Sequence, residues 1–176
     1  MRTWIIERIE SSRGKPAFDN VKKKAILQDL IKAEEFEHFL HSQFIGQKRF
    51  SLEGAEVLIP ALHFIVDASV ENSVQDIVIG MSHRGRLNVL ANILNKPAVE
   101  IFSEFEDIQS QNIYGGSGDV KYHRGYQIDH IHEDGKHVLI NLVPNPSHLE
   151  SVDSVVQGIA RGIQQKKNDG NRKKRG

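Results

Sequence analysis

Two short segments carry side chains suited to acid–base and anion chemistry. The first is Ser82-His83-Arg84-Gly85-Arg86 and the second is Pro144-Asn145-Pro146-Ser147-His148. An imidazole exchanges protons and contacts anions near neutral pH. An arginine can fork onto a phosphate or a carboxylate, and the free N–H groups of a following helix add to the attraction. Each segment also has a plainer reading. The first could be a solvated basic loop. In the second, Ser147 and Glu150 have capping-box spacing, which would explain both residues and leave His148 in the first turn of a helix.

A third segment is Gly115-Gly116-Ser117-Gly118-Asp119-Val120-Lys121-Tyr122-His123. Its glycine and lysine spacings fit neither a Walker sequence nor a dinucleotide fingerprint. It reads either as a loop bringing Lys121 and His123 to a site or as a surface loop. His130, His132 and His137 flank Asp134-Gly135. In a two-residue hairpin turn His132 and His137 face each other across the strands. With Glu133 and Asp134 they could bind zinc, although a tight hairpin tip rarely closes a tetrahedral set, so a polar hairpin face is the alternative. His38 and His41, beside Glu34, Glu35 and Glu37, read as the solvated face of a helix.

These residues need elements to hold them. Asp19 or Asn20 can cap a helix starting near Val21, with apolar residues from Ile26 to Leu40 at helical spacing and an end near Gly46. Ser51 can cap a second helix carrying Ala55, Leu58, Leu62 and Val66, which Pro60 should kink or break. Asp76-Ile77-Val78-Ile79-Gly80-Met81 reads as a buried strand, followed by a helix through Leu87, Leu90 and Leu94. Pro97 suits the first turn of another helix. Val138 to Val143 reads as a core strand, followed by a helix through Val152, Val156 and Ile163. Strand, loop and helix thus recur around 76–95 and 138–163, which implies an α/β fold with a mostly parallel sheet. In such sheets ligands bind where strands end and helices begin. Both histidine-bearing segments fall there.

Composition narrows the class. The chain has 176 residues, 39% of them hydrophobic and 26% charged, which suits one globular domain with a core. Lysine plus arginine balance aspartate plus glutamate at 23 each, so net charge gives no reason to expect a nucleic acid or a membrane. The absence of cysteine rules out disulfides, thiolate catalysis and cysteine zinc sites. No apolar run approaches a membrane span of roughly 18 residues. The division that follows is a helical lead over 1–50, an α/β domain over 51–165, and a basic, solvated and disordered tail over 166–176.

Four segments, in order, resemble one family. They are Gly46-Gln47-Lys48-Arg49-Phe50-Ser51-Leu52-Glu53-Gly54, Gly80-Met81-Ser82-His83-Arg84-Gly85-Arg86-Leu87-Asn88-Val89-Leu90, Gly116-Ser117-Gly118-Asp119-Val120-Lys121-Tyr122-His123 and Asn145-Pro146-Ser147-His148-Leu149-Glu150. Together they are similar to the thiamine-diphosphate-dependent decarboxylating component of the 2-oxoglutarate dehydrogenase complex, from about Arg2 to about Asn168. The resemblance implies part of a thiamine-diphosphate-binding fold, with magnesium. It implies decarboxylation of 2-oxoglutarate and transfer of the succinyl unit to a lipoyl group on a partner succinyltransferase. It also implies a homodimer in the bacterial cytoplasm or the mitochondrial matrix. By the resemblance His83 and His123 meet the substrate's distal carboxylate with Ser147 nearby. Arg84 meets the diphosphate or its surroundings, and Leu149 packs on the cofactor, while His148 ranks second. Imidazoles can hold a carboxylate without lysine's fixed charge.

The chain departs from the family pattern at its end. Members continue into a Gly-Asp-rich turn and a later asparagine that hold magnesium, whereas this sequence runs Asn168-Asp169-Gly170-Asn171-Arg172-Lys173-Lys174-Arg175-Gly176. The expectation is a fragment, inactive alone, whose metal ligands lie beyond it. Two other classes stand beside this one. One is a phosphate- or nucleic-acid-binding module built on Arg84, Arg86, Arg124 and the basic tail, disfavoured because no basic stripe with interleaved aromatics is visible. The other is a non-catalytic piece that complements a second chain. The sequence does not separate 2-oxoglutarate from 2-oxoadipate, since both present a distal carboxylate.

Overall fold

The computed structural model describes residues 2–111, 120–132 and 134–168, with the backbone alone for 107–111. Helix α1 (Arg2–Ser11) buries none of its residues. Helix α2 (Asn20–Gln43) starts where its sequence allows. The Asp19 carboxylate accepts from the backbone N–H of Lys22 at 2.7 Å, satisfying one of the donors a helix start leaves open. Ala33, Glu37 and Leu40 line the buried face of α2.

Helix α3 (Leu58–Glu71) begins later than the Ser51 cap implied. The Ser51 hydroxyl accepts from Glu53 N–H at 3.1 Å instead. Gly54 adopts a left-handed φ of 79°, and its N–H reaches the Glu56 carboxylate at 2.6 Å. A turn therefore occupies the segment before the helix. Pro60 then falls in the first turn of α3, where no intrahelical donor is needed, so it neither kinks nor breaks the helix.

Strand β1 (Asp76–Ile79), helix α4 (Arg86–Asn92), helix α5 (Ala98–Gln111), the one-turn helix α6 (Val120–His123), strands β2 (Tyr126–Ile131) and β3 (His137–Leu142), and helix α7 (Leu149–Lys166) complete the order. The sheet runs β1-β3-β2. Asp76 to Ile79 pair in parallel with Leu139 to Leu142. Tyr126 to Ile131 pair antiparallel with Leu142 to His137. The α/β class holds. The described sheet is mixed, with one parallel and one antiparallel pair, so its three strands do not carry the expectation of a mostly parallel sheet.

Val138, Ile140 and Leu142 alternate into the core on one face of β3, where α3 packs. They share one cluster with Ala33 and Leu40 of α2 and with Leu87 and Leu90 of α4. On the other face α7 lies against β1. Gly80 makes that approach possible, since a Cβ there would stand 2.2 Å from Val152 Cγ1 and 2.6 Å from Val156 Cγ2. Gly80→Ala should therefore cost about 1–3 kcal/mol, the usual range for overpacking. Urea unfolding followed by circular dichroism checks this, and an unchanged midpoint would mean that α7 is not seated on β1.

The hairpin differs from the two-residue turn by one position. His132 N–H donates to Lys136 O at 2.8 Å, and His137 stands opposite Ile131 rather than His132. Gly135 at φ 79° supplies the left-handed residue that a three-residue loop requires. The Lys136 ammonium, bonded to Asp134, holds that carboxyl well below the usual carboxylate range.

Candidate functional site

The topology decides which segments meet. Because β1 and β3 are parallel, the segments after Ile79 and after Leu142 leave the same end of the sheet. Because β2 is antiparallel and Tyr126 pairs with Leu142, the segment entering β2 arrives at that end too. This brings α6 and His123 to the loops that carry His83 and Ser147.

A ring cluster forms there from Phe50, His83, Tyr122 and His123. The His83 and His123 ring centroids lie 4.9 Å apart, tilted at 41°. His83 stacks on Tyr122 at 5.4 Å and meets the Phe50 ring at 5.0 Å in an edge contact. The Tyr122 hydroxyl accepts from Phe50 N–H at 2.9 Å, which ties the segment after α2 to the cluster. His83 is only 5% exposed, whereas His123 is exposed. The pair thus runs from the core to the surface, and two N–H donors so close can serve one carboxylate.

Beneath the pair lies a residue that sequence reasoning assigned only to a basic surface. Arg86 is fully buried. Its Nη1 donates to Asn145 Oδ1 at 2.8 Å, and its Nη2 donates to Val143 O at 2.6 Å and Arg124 O at 2.8 Å. Burial pushes its pKa down to about 10, so it stays charged at neutral pH. A surface for phosphate binding cannot include it. The position of Arg86 at the start of a helix after a strand gave no sign of this, since its acceptors lie on segments distant in sequence.

Arg84 is exposed and donates from Nη2 to Glu53 O at 2.6 Å. Glu56 nearby is held below the ordinary carboxylate range, first by backbone N–H donors and then by Arg84. Ser147, His148 and Leu149 are all exposed. The capping box is not formed: the N-cap of α7 is His148, without a side-chain cap bond. Its carbonyl accepts from Val152 N–H at 3.2 Å, and Ser147 lies one residue outside the helix. The glycine-rich stretch 112–119 lies outside the described residues, as do Glu133 and residues 169–176 of the basic tail.

No group of three or more His, Cys, Asp or Glu stands ready for a metal among the described residues. His132 pairs with Asp134 at 3.0 Å and His137 with Asp129 at 3.3 Å, so the hairpin histidines make separate local contacts. Among the described residues no helix is long and apolar enough to cross a membrane.

Residues 28–171 match the family described as dehydrogenase E1 component. The chain belongs to the dehydrogenase E1 component family. Among its relatives, the 2-oxoglutarate dehydrogenase E1/E2 component of Corynebacterium glutamicum is 49% identical over 93% of this chain and 13% of its own length. The 2-oxoglutarate dehydrogenase E1 component of Cupriavidus necator is 46% identical over 96% of this chain and 17% of its own length. The mitochondrial 2-oxoglutarate dehydrogenase of Saccharomyces cerevisiae is 48% identical over 94% of this chain and 16% of its own length. The chain therefore spans less than a fifth of each of these E1 relatives. The family match begins within α2 and covers α3 to α7 and all four segments on which the resemblance rests.

Proposed function

We propose that this chain forms the 2-oxoglutarate-recognising part of a thiamine-diphosphate site in a dehydrogenase E1 component, and so serves oxidative decarboxylation and succinyl transfer to a lipoyl group. The observation that carries the reading is the His83–His123 pair, 4.9 Å apart at the sheet end where β1 and β3 deliver their loops. The two imidazoles would donate N–H groups to the substrate's distal carboxylate, and Ser147 would stand beside it. His148 would be a second donor at the rim. His83, walled by Phe50 and Tyr122, gives the ligand a partly dry contact, in which a hydrogen bond to a charge counts for more.

The residues present suit the cofactor. Its anionic end needs donors, and the uncapped start of α7 presents backbone N–H groups. Its ring needs apolar cover, and Leu149 beside that start is 55% exposed. In this reading Leu149 packs on the ring and Arg84 faces the diphosphate or its surroundings. Thiamine diphosphate, when bound, supplies the carbon nucleophile and the electron sink for decarboxylation. The described residues offer no magnesium set, and no step is assigned to a metal. A lipoyl-bearing succinyltransferase and a second E1 subunit are the proposed partners, and 1–50, 51–165 and 166–176 the proposed division into lead, site-bearing domain and tail.

The test is a chimera. Residues 28–168 replace the matching segment of the Cupriavidus necator E1 component, and release of carbon dioxide from 2-oxoglutarate is measured with thiamine diphosphate and magnesium. Turnover within about tenfold of the parent supports the reading. A folded chimera that binds the cofactor but turns over no 2-oxoglutarate would overturn it.

A further inference from the structure

We infer that Arg86 and Asn145 form a positioning pair that sets the mutual placement of His83 and His123. The inference rests on the proposed role of those histidines, and it concerns the hydrogen bonds that hold their segments rather than a contact to substrate.

Each segment of the site hangs on this pair. Arg86 N–H donates to His83 O at 3.0 Å. Asn145 N–H donates to His123 O at 3.1 Å. Asn145 Nδ2 donates to Met81 O at 2.7 Å and to Pro146 O at 2.6 Å. The Arg86 guanidinium reaches Arg124 O, Val143 O and Asn145 Oδ1. The loop after β1, the residues entering β2 and the loop after β3 are thus bonded to one another through two side chains. The bonds at the His83 and His123 carbonyls run main chain to main chain, and the side-chain contacts fall at Met81, two residues from His83, and at Arg124, one residue from His123.

The chemistry of the pair argues for placement rather than cohesion. Among the described residues Arg86 has no carboxylate partner, and all its acceptors are neutral oxygens. A buried cation held this way is a costly means of filling space, and apolar side chains of similar volume fill space better. What an apolar side chain cannot do is fix three carbonyl oxygens at set angles. A planar guanidinium fork does so, and a lysine ammonium does not reproduce it. The amide of Asn145 supplies one acceptor to the fork and two donors outward, so it extends the same frame to Met81.

The experiment uses the 176-residue chain with nitrogen-15 and carbon-13 labelled histidine. Four proteins are compared: the parent, R86K, N145A, and V66A as a core variant distant from the site. In the parent the two rings should give a cross-ring nuclear Overhauser effect, since their centroids are 4.9 Å apart. In R86K and N145A that signal should fall at least threefold while far-ultraviolet circular dichroism stays that of the parent. In V66A the melting temperature should fall and the ring signal should remain. If N145A does not fold, R86K decides by the same signal. Retention of the signal in both site variants would overturn the inference, and so would its equal loss in V66A. A second arm adds 2-oxoglutarate. In the parent the two imidazole sets should shift together, and in N145A at least tenfold more ligand should be needed. A parent that shows the ring contact but ignores 2-oxoglutarate would defeat the proposed function and leave the placement to be judged by the first arm.

Discussion

Arg49→Ala is expected to destabilise the fold by about 3 kcal/mol. Glu37 is 2% exposed, although its place in α2 looks solvated. Its carboxylate accepts from Arg49 Nη1 at 2.7 Å and from Asn88 Nδ2 at 3.1 Å. Removing the arginine leaves a buried charge with one neutral donor. Breaking a buried pair in this way costs roughly 3–5 kcal/mol, and the remaining amide places this case at the lower end. Arg49 also donates to Glu37 O at 3.4 Å and precedes Phe50, whose ring meets His83. The loss should therefore loosen the ring cluster as well as α2. Urea titration gives the free energy. The double replacement Glu37→Leu with Arg49→Met should recover at least half of the loss, because it removes the orphaned charge. A loss under about 1 kcal/mol for Arg49→Ala would show that solvent reaches Glu37.

The same residue shows where sequence reading stops. Helical spacing places Glu37 beside Glu34, Glu35 and His38, and nothing local says that the chain turns back through Arg49. The network around it is mostly non-local. Asn88 of α4 bonds to Ala33 O and Glu37 of α2, and Asn92 bonds to Asn88 Oδ1. His63 of α3 bridges Asp29 at 2.7 Å and Asn92 O at 3.1 Å. A polar residue at a core-facing position is legible only once its partner is known. The same holds for Arg86, whose close acceptors lie at 124, 143 and 145.

What was legible depended on local chemistry or on period. The Asp19 cap is a three-residue contact, and strand β1 is a short β-branched run. The placement of both histidine loops at one sheet end followed from recurrence of strand, loop and helix. The failures were also local, but decided by backbone conformation. Gly54 takes a left-handed turn where a helix was expected to begin, and with Gly135 left-handed the hairpin loop is one residue longer than expected, so that His137 stands opposite Ile131 rather than His132. Ser147 satisfies the capping-box pattern, yet the helix starts one residue too late for it. A pattern of residue types does not fix backbone conformation: Gly54 and Gly135 take left-handed φ values, and the extended cap residue of α7 is His148.

His83→Ala and His123→Ala, each in the chimera with the Cupriavidus necator component, are expected to lower kcat/KM for 2-oxoglutarate by about 2–4 kcal/mol. That is the size expected for losing a hydrogen bond to a charged group and leaving its partner unmatched. The two variants differ in what else they disturb. His83 is buried between Phe50 and Tyr122, so its loss also opens a cavity and should lower stability. His123 is exposed, and its replacement should leave stability within about 0.5 kcal/mol of the parent. His123→Ala therefore isolates the functional effect. The double variant should lose less than the sum of the single losses, because both rings serve one carboxylate from 4.9 Å apart. Steady-state decarboxylation with 2-oxoglutarate, beside pyruvate as a substrate without the distal carboxylate, separates the terms. The losses should appear with 2-oxoglutarate and be small with pyruvate, which has nothing to offer the pair. Equal losses on both substrates would place the histidines in general catalysis, and unchanged kinetics in both single variants would remove them from the site.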